Sequence, residues 1–307
     1  MDIDLKVRIG SRCLPNPVGT ASGTFGYGEE YAGLYTPEKL GAVYTKAVSL
    51  LPREGNPPPR LVETASGILN AIGLANVGVE AFIAKKLDFL LSQPAAAVVN
   101  VAGSSPDEYI RVVRRLNETG IWGFEINLSC PNVRQGCLAF GTDPRNVKDL
   151  TALLRKETDK PLIIKLTPNV TDIGAIAEAA EDGGADAVSL INTLLGMAID
   201  VKTARFKLTN RTGGLSGPAV KPVGVAAVYN VSRRVSIPVI GMGGIMSADD
   251  AVEYLLAGAK AVQIGTGNFI RPGLCDTVYD GIVAYMKEKQ LHSVDDFAGL
   301  LKDTATE

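Results

Sequence analysis

The chain has 307 residues, of which 31 are basic and 33 acidic, so its formal net charge at pH 7 is −2. This balance gives no electrostatic reason to expect a nucleic acid or an anionic membrane as a partner. We see no secretory signal and no apolar run long enough to span a bilayer. The four cysteines lack a CxxC pair or zinc-ligand spacing, so we expect no metal site, and free thiols are typical of the cytoplasm.

Short apolar runs rich in Val and Ile alternate with amphipathic segments along the chain. Continuous apolar runs are typical of parallel strands that are buried on both faces. The predicted strands are 18–21, 42–46, 97–102, 123–128, 161–166, 187–191, 238–241 and 261–264. The predicted helices are 79–91, 106–119, 144–158, 172–182, 218–234 and 248–257. Ser105, Asp143 and Ser247 precede three of these helices as N-cap residues.

Repeated strand–helix units favour an α/β fold, the (β/α)8 TIM barrel, with a doubly wound open sheet as the alternative. No linker or shift in composition divides the sequence, so we expect a single domain over 1–307. Long loops are predicted at 47–77, 129–143 and 192–217, each after a predicted strand. In a barrel these segments lie on the C-terminal face, where active sites are built.

Polar side chains follow most of the predicted strands. A single polar residue at this position can be explained equally well as a hydrogen-bonded cap of the strand or as a ligand-binding residue. A ring of them favours a polar ligand, because buried polar groups without partners cost free energy. The residues are Ser22, Lys46, Asn100, Asn127, Lys165 and Asn192.

Two glycine-rich stretches, GMGGI at 241–245 and GTGNF at 265–269, follow the last two predicted strands. Loops at these positions of a barrel commonly hold a phosphate, because glycine lets backbone N–H groups approach it. Lys165 is suited to stabilise negative charge on a ring that accepts electrons. No GxGxxG follows the first strand, which argues against a nicotinamide site. The pattern indicates a phosphorylated cofactor, with flavin mononucleotide (FMN) as one that fits.

The sequence EINLSCPN, at 125–132, places Cys130 where a predicted strand ends. A thiol there is either a reactive group or an inert packing residue. The chain has one histidine, His292. A base in an acid–base enzyme is therefore expected to be Cys, Lys, Tyr or a carboxylate.

Several motifs together resemble those of the dihydroorotate dehydrogenases, over about residues 5–285. They are ASGTFGYG at 21–28, NAIGLAN at 70–76, NLSCPN at 127–132, INT at 191–193, GGLSGPA at 213–219, GMGGI and IGTGNF. Cys130 resembles the soluble class 1, since the membrane-bound class 2 carries serine there. The stretch GCLAFGTDP at 136–144 resembles class 1B, which works with an electron-transfer partner subunit.

The resemblance implies two sets of contacts. FMN would be held by Ser22, Thr45, Lys46, Asn100, Asn127, Lys165, Ile191 and Gly217, with its phosphate on Gly243, Gly244, Gly265 and Thr266. Dihydroorotate would be bound by Lys46, Asn70, Ala71, Ile72, Gly73, Leu74, Asn127, Asn132, Asn192 and Thr193. Amides suit its ring because they both donate and accept hydrogen bonds.

The implied reaction is oxidation of (S)-dihydroorotate to orotate in de novo pyrimidine (UMP) biosynthesis. The hydride would go to N5 of FMN, and Cys130 would take the C5 proton. Class 1B implies a homodimer core within a heterotetramer, whose second subunit carries FAD and [2Fe–2S] and passes electrons to NAD. The alternatives are a fumarate-dependent class 1A homodimer, a flavin-free phosphate-binding isomerase or aldolase, and a non-catalytic barrel.

Overall fold

A closed barrel of eight parallel strands forms the centre of the computed structural model, which describes residues 3–35, 38–128 and 140–303. Each strand pairs with the next one along the chain, and β8 pairs with β1. The predicted (β/α)8 fold is therefore confirmed. The strands are β1 Val18–Thr20, β2 Ala42–Tyr44, β3 Ala96–Val101, β4 Gly123–Asn127, β5 Leu162–Lys165, β6 Ala187–Leu190, β7 Val239–Met242 and β8 Ala261–Ile264.

Helices follow the strands and cover the outside of the barrel. Their apolar faces pack on the outward side chains of the strands, and together these residues form the main hydrophobic core. The α-helices are Val79–Lys85, Leu87–Leu91, Pro106–Asn117, Pro144–Arg155, Ile173–Asp182, Lys221–Val231, Ala248–Leu256, Gly267–Ile270 and Leu274–Glu288. Short 3-10 helices are Glu29–Tyr31, Phe140–Thr142, Pro218–Val220 and Val294–Phe297. No helix in the described ranges is long and apolar enough to cross a membrane.

The three predicted N-caps are confirmed, because Ser105, Asp143 and Ser247 each accept a hydrogen bond from a first-turn N–H group. Two predicted helices differ from expectation. The helix predicted over 79–91 is interrupted at Lys86, and the one predicted over 218–234 starts with a 3-10 turn. Pro222 lacks an N–H group and stands in the first turn of Lys221–Val231, which fits a helix that begins there.

A four-stranded antiparallel sheet, here called the cap sheet, forms from segments after β2 and β6. Its strands, in spatial order, are Leu194–Met197, Thr212–Ser216, Gly67–Asn70 and Leu61–Thr64. We predicted loops over these residues, and that prediction was wrong. The strands are short, and several of their side chains alternate between exposed and half-buried. They therefore lack the continuous apolar signal of the barrel strands.

The opposite, N-terminal face of the barrel is covered by a hairpin of Val7–Ile9 and Arg12–Leu14. The Arg12 guanidinium donates to the carbonyl groups of Ile121 and Trp122, at 3.2 and 2.8 Å, just before β4. These bonds attach the hairpin to the N-terminal end of the barrel.

Candidate active site

The polar residues predicted at strand ends do lie at the C-terminal ends of the barrel strands. Asn127 and Lys165 are the last residues of β4 and β5 and are register partners. Asn100 is the next-to-last residue of β3 and is paired with Glu125 of β4. Ser22, Lys46 and Asn192 each follow their strands by two residues. The barrel therefore brings residues distant in sequence to one mouth.

Lys165 and Asn100 are the most deeply buried members of this ring. Lys165 is only 4% exposed, and its ammonium group donates to the Ser22 hydroxyl at 3.0 Å. Asn100 donates from Nδ2 to Glu125 Oε2 at 2.6 Å, and its backbone N–H donates to the Thr45 hydroxyl at 3.2 Å. The ring is thus held by bonds between strands.

The side-chain oxygen of Asn100 is buried and has no hydrogen-bond partner within the part of the chain that the structure describes. A buried acceptor without a donor is unfavourable. The amide orientation is fixed, because Nδ2 already donates to a carboxylate. Asn100 is therefore arranged to accept from an N–H group of a ligand.

A pair of amides lies beside this group. Nδ2 of Asn192 is 3.4 Å from Oδ1 of Asn127. The side-chain oxygen of Asn192 accepts from the backbone N–H of Thr193 at 2.8 Å, and the backbone carbonyl of Asn127 accepts from the Tyr109 hydroxyl at 2.7 Å. Both side chains are held where a ring with N–H and C=O groups could bind.

The glycine loops after β7 and β8 lie against the start of the helix Lys221–Val231 and the end of the cap sheet. Gly244 has φ +70°, and a Cβ there would lie 2.8 Å from the Gly217 carbonyl oxygen and from Lys221 Cβ. After β8, the Thr266 hydroxyl donates to Ser216 at 2.9 Å. Glycine at such a position keeps the loop free of a side chain, so that its backbone N–H groups could approach a phosphate.

The other residues predicted in this cradle lie nearby, in less tightly packed surroundings. Gly243 has φ +127°, and a Cβ on it would lie 3.4 Å from the side chain of Ile191. Ile191 is buried and donates its N–H to the carbonyl of Met242 at 3.0 Å. A Cβ on Gly265 would be 3.4 Å from Ala21, which is ordinary contact. These predicted residues therefore line one continuous region between β6 and β1.

The loop 70–74 leaves the cap sheet above the barrel mouth. Asn70 donates to the Gly214 carbonyl at 3.3 Å, and Ala71 is fully buried. The Ile72 carbonyl accepts from the backbone of Asn56 at 3.0 Å. Gly73 and Leu74 both have positive φ, at 75° and 57°. The loop is therefore held by hydrogen bonds to Gly214 and Asn56, which lie outside it.

Lys46 is half-buried near the same mouth. Burial lowers the pKa of this ammonium group, and the positive charge of Arg60 acts in the same direction, while the negative charge of Glu30 opposes it. A nearby anion stabilises the charged form of such a lysine. Lys46 is thus suited to bind a ligand carboxylate.

Two predicted site residues, Cys130 and Asn132, lie outside the described residues. The structure describes the residues up to Leu128 and again from Phe140. The roles expected of Cys130 as a base and Asn132 as a substrate contact stay predictions.

Sequence reasoning missed a polar cluster inside the barrel. Glu125, Ser189 and Gln263 are fully buried, and Ser189 and Gln263 each donate a hydrogen bond to the Glu125 carboxylate. Tyr44 is also buried there, and burial raises the pKa of its hydroxyl. The available signal was a charged residue within an apolar run that is buried on both faces, because such a group needs partners.

Comparison with known proteins identifies the family. The family model described as dihydroorotate dehydrogenase matches residues 4–286. A Pelobacter propionicus protein named "Dihydroorotate dehydrogenase B (NAD(+)), catalytic subunit" is 53% identical over 303 residues, which cover 98% of this chain and 100% of that protein. The chain belongs to the dihydroorotate dehydrogenase family. It is therefore an oxidoreductase.

Other members of the dihydroorotate dehydrogenase family are similar over the same length. Proteins of the same name from Geotalea daltonii and a Thermoanaerobacter species are 51% and 50% identical over 300 residues, covering at least 97% of this chain and 98% of theirs. A crystal structure of DHODH from Eimeria tenella with ferulenol has a TM-score of 0.81 at 23% identity, covering 97% of this chain and 88% of that one. At this identity the structural match supports the fold alone.

Proposed function

We propose that the chain is the catalytic subunit of an NAD-linked dihydroorotate dehydrogenase, which oxidises (S)-dihydroorotate to orotate in de novo pyrimidine biosynthesis. The observation that carries the proposal is the similarity of about half of all residues, along the full length, to proteins named as that subunit. The polar mouth of the barrel supplies groups suited to the substrate. We further propose that the chain acts as one domain and works in the cytoplasm.

FMN is the cofactor that we propose for this site, and the residues present fit it. Asn100 offers a buried acceptor for a ring N–H group, and Lys165 offers a buried positive charge beside the same position. The loops with Gly244 and Thr266 would hold the phosphate, next to Gly217. Ser22, Thr45, Lys46, Asn127, Ile191, Gly243 and Gly265 would complete the site.

When bound, FMN supplies the acceptor for a hydride. The chain's own residues bind and orient the substrate. The amides of Asn127 and Asn192 would match the alternating donors and acceptors of the dihydroorotate ring, and Lys46 would pair with its carboxylate. Asn132, Thr193 and the 70–74 loop would complete the contacts.

Cys130 is the base that we propose for the C5 proton of dihydroorotate. An ordinary thiol has a pKa of about 8.5, so it is mostly protonated at neutral pH. It serves as a base when its surroundings favour the thiolate or when the pH is raised. The proposal rests on the family resemblance, because Cys130 lies outside the described residues.

A second subunit is implied by the relatives' name "catalytic subunit". We propose that it carries FAD and [2Fe–2S] and passes electrons to NAD, and that two copies of the present chain form a homodimer at the core of a heterotetramer. An exposed apolar surface on and beside the cap sheet supports an interface. It contains Leu195, Met197, Ile199, Val201 and Phe206.

Purified chain, alone and together with an FAD and [2Fe–2S] subunit, tests the proposal. The flavin released by denaturation is identified by chromatography, and dihydroorotate oxidation is followed with NAD or fumarate as acceptor. We expect FMN in the chain and NAD reduction only when both subunits are present. Efficient fumarate reduction by the chain alone would instead indicate a class 1A enzyme, and a colourless chain that does not take up FMN would refute the flavin proposal.

A further inference from the structure

A buried carboxylate on β4 contacts side chains from four other barrel strands. Glu125 accepts hydrogen bonds at Oε1 from Ser189 of β6 and Gln263 of β8, both at 2.8 Å. At Oε2 it accepts from Asn100 of β3 at 2.6 Å and lies 3.6 Å from the Lys165 ammonium of β5. The carboxylate is thus fully paired at the centre of the barrel.

Two of these four partners, Asn100 and Lys165, are the groups with which the chain would contact the ring of FMN. We propose that Glu125 is a positioning residue that orients Asn100 and Lys165 and sets the reduction potential of the bound flavin. This inference deepens the proposed function and rests on it. Glu125 would act through its two partners.

The orientation of Asn100 depends on the charge state of Glu125. An ionised carboxylate only accepts hydrogen bonds, so Asn100 must present its NH₂ group to it and its oxygen to the opposite side. That oxygen is the buried acceptor with no partner inside the described ranges. A glutamine at position 125 both donates and accepts, so it would let the Asn100 amide turn over.

The charge of Lys165 is balanced by the same group. Lys165 is 4% exposed and Glu125 is fully buried, so solvent screens their interaction weakly. A lysine alone would favour the negative charge that a flavin ring gains on reduction, and the neighbouring carboxylate reduces this effect. Removing the carboxylate charge should therefore make the flavin easier to reduce.

The FMN reduction potential of the Glu125→Gln variant, measured by dye equilibration in the holoprotein, tests the inference. We expect the reduction equilibrium to shift towards the reduced form by at least tenfold, which is about 30 mV for a two-electron couple. Ser189→Ala is the matched control, since it removes one donor to the same carboxylate and leaves the charge. It should shift the equilibrium by less than threefold.

A second variant serves if Glu125→Gln does not fold once the carboxylate beside the buried Lys165 is lost. The double variant Glu125→Gln/Gln263→Glu keeps the number of carboxylates and amides and can form the same 2.8 Å pair with donor and acceptor exchanged. This double variant moves the negative charge to β8. The reduction equilibrium should therefore again shift towards reduced FMN, by at least threefold.

A shift below threefold in the folded, FMN-loaded Glu125→Gln variant, or in the double variant if only that one folds, would overturn the inference. Its failure is distinguishable from failure of the proposed function. Wild-type protein that binds FMN and is bleached by dihydroorotate keeps the proposed function, whatever the potential of the Glu125 variants.

Discussion

Replacing Gly244 by alanine tests whether the loop after β7 is shaped for a phosphate. Gly244 has φ +70°, and the new Cβ would lie 2.8 Å from the Gly217 carbonyl oxygen and 3.0 Å from the Lys221 nitrogen. Both are backbone atoms, so the loop itself must move. The left-handed backbone costs about 1–2 kcal/mol in a residue with a Cβ. Overpacking adds about 1–3 kcal/mol.

Gly299→Ala is the matched control, because Gly299 also has positive φ, at 84°, and a Cβ there meets nothing within 4 Å. It carries the backbone cost without the clash. The difference between the two variants is therefore about 1–3 kcal/mol. If this difference falls on FMN binding, it weakens FMN binding by about 5- to 150-fold.

The assay measures two quantities for each variant, the free energy of unfolding in urea without FMN and the dissociation constant of FMN from fluorescence quenching. We expect the extra cost of Gly244→Ala to appear in the sum of the lost unfolding free energy and the lost FMN-binding free energy, mainly in the latter. Equal values for the two variants in both measurements would refute the idea that this loop is tightly packed around a phosphate.

Three further variants test substrate binding and proton transfer. Lys46→Gln should weaken orotate binding by about 10- to 100-fold, the cost of a charged hydrogen bond, and wild-type affinity should fall as the pH rises through the lowered pKa of Lys46, where the lysine loses its charge. Asn192→Ala removes a neutral amide from its position beside Asn127, so orotate binding should weaken by about 5- to 30-fold while the FMN content is kept. Cys130→Ser should slow flavin bleaching by dihydroorotate at pH 7 by about 10²- to 10⁴-fold, with normal orotate binding.

Each of these expectations can fail separately. A Lys46→Gln protein that binds orotate as tightly as the wild type would remove the lysine from carboxylate recognition. Normal orotate affinity in Asn192→Ala would place the substrate ring elsewhere. Unchanged bleaching in Cys130→Ser across the pH range would show that the C5 proton leaves by another route.

The barrel was predictable because its strands are short runs of Val, Ile and Ala buried on both faces. The runs at 123–128 and 161–166, for example, correspond to β4 Gly123–Asn127 and β5 Leu162–Lys165. The cap sheet was not predictable in the same way. Its outer strand, Leu61–Thr64, has exposed residues at alternate positions and is stabilised by pairing with Gly67–Asn70, which a one-dimensional pattern does not reveal.

The polar residues at the strand ends could be predicted from the sequence, whereas the buried Glu125 network beneath them could not. Asn127 and Lys165 were identified because a polar residue ends an apolar run, and the structure makes them register partners. Glu125 stands two residues before Asn127, and its partners Ser189 and Gln263 come from distant strands. Only the closed barrel brings those strands to one point, so the network could not be derived from spacing along the chain.

An anaerobic titration of the purified chain with dihydroorotate, followed by the flavin absorbance, tests the central claim most directly. We predict a yellow protein whose absorbance is bleached as orotate forms, because the barrel mouth would hold the flavin and the substrate together. A yellow protein that stays oxidised with excess dihydroorotate would contradict the proposed reaction.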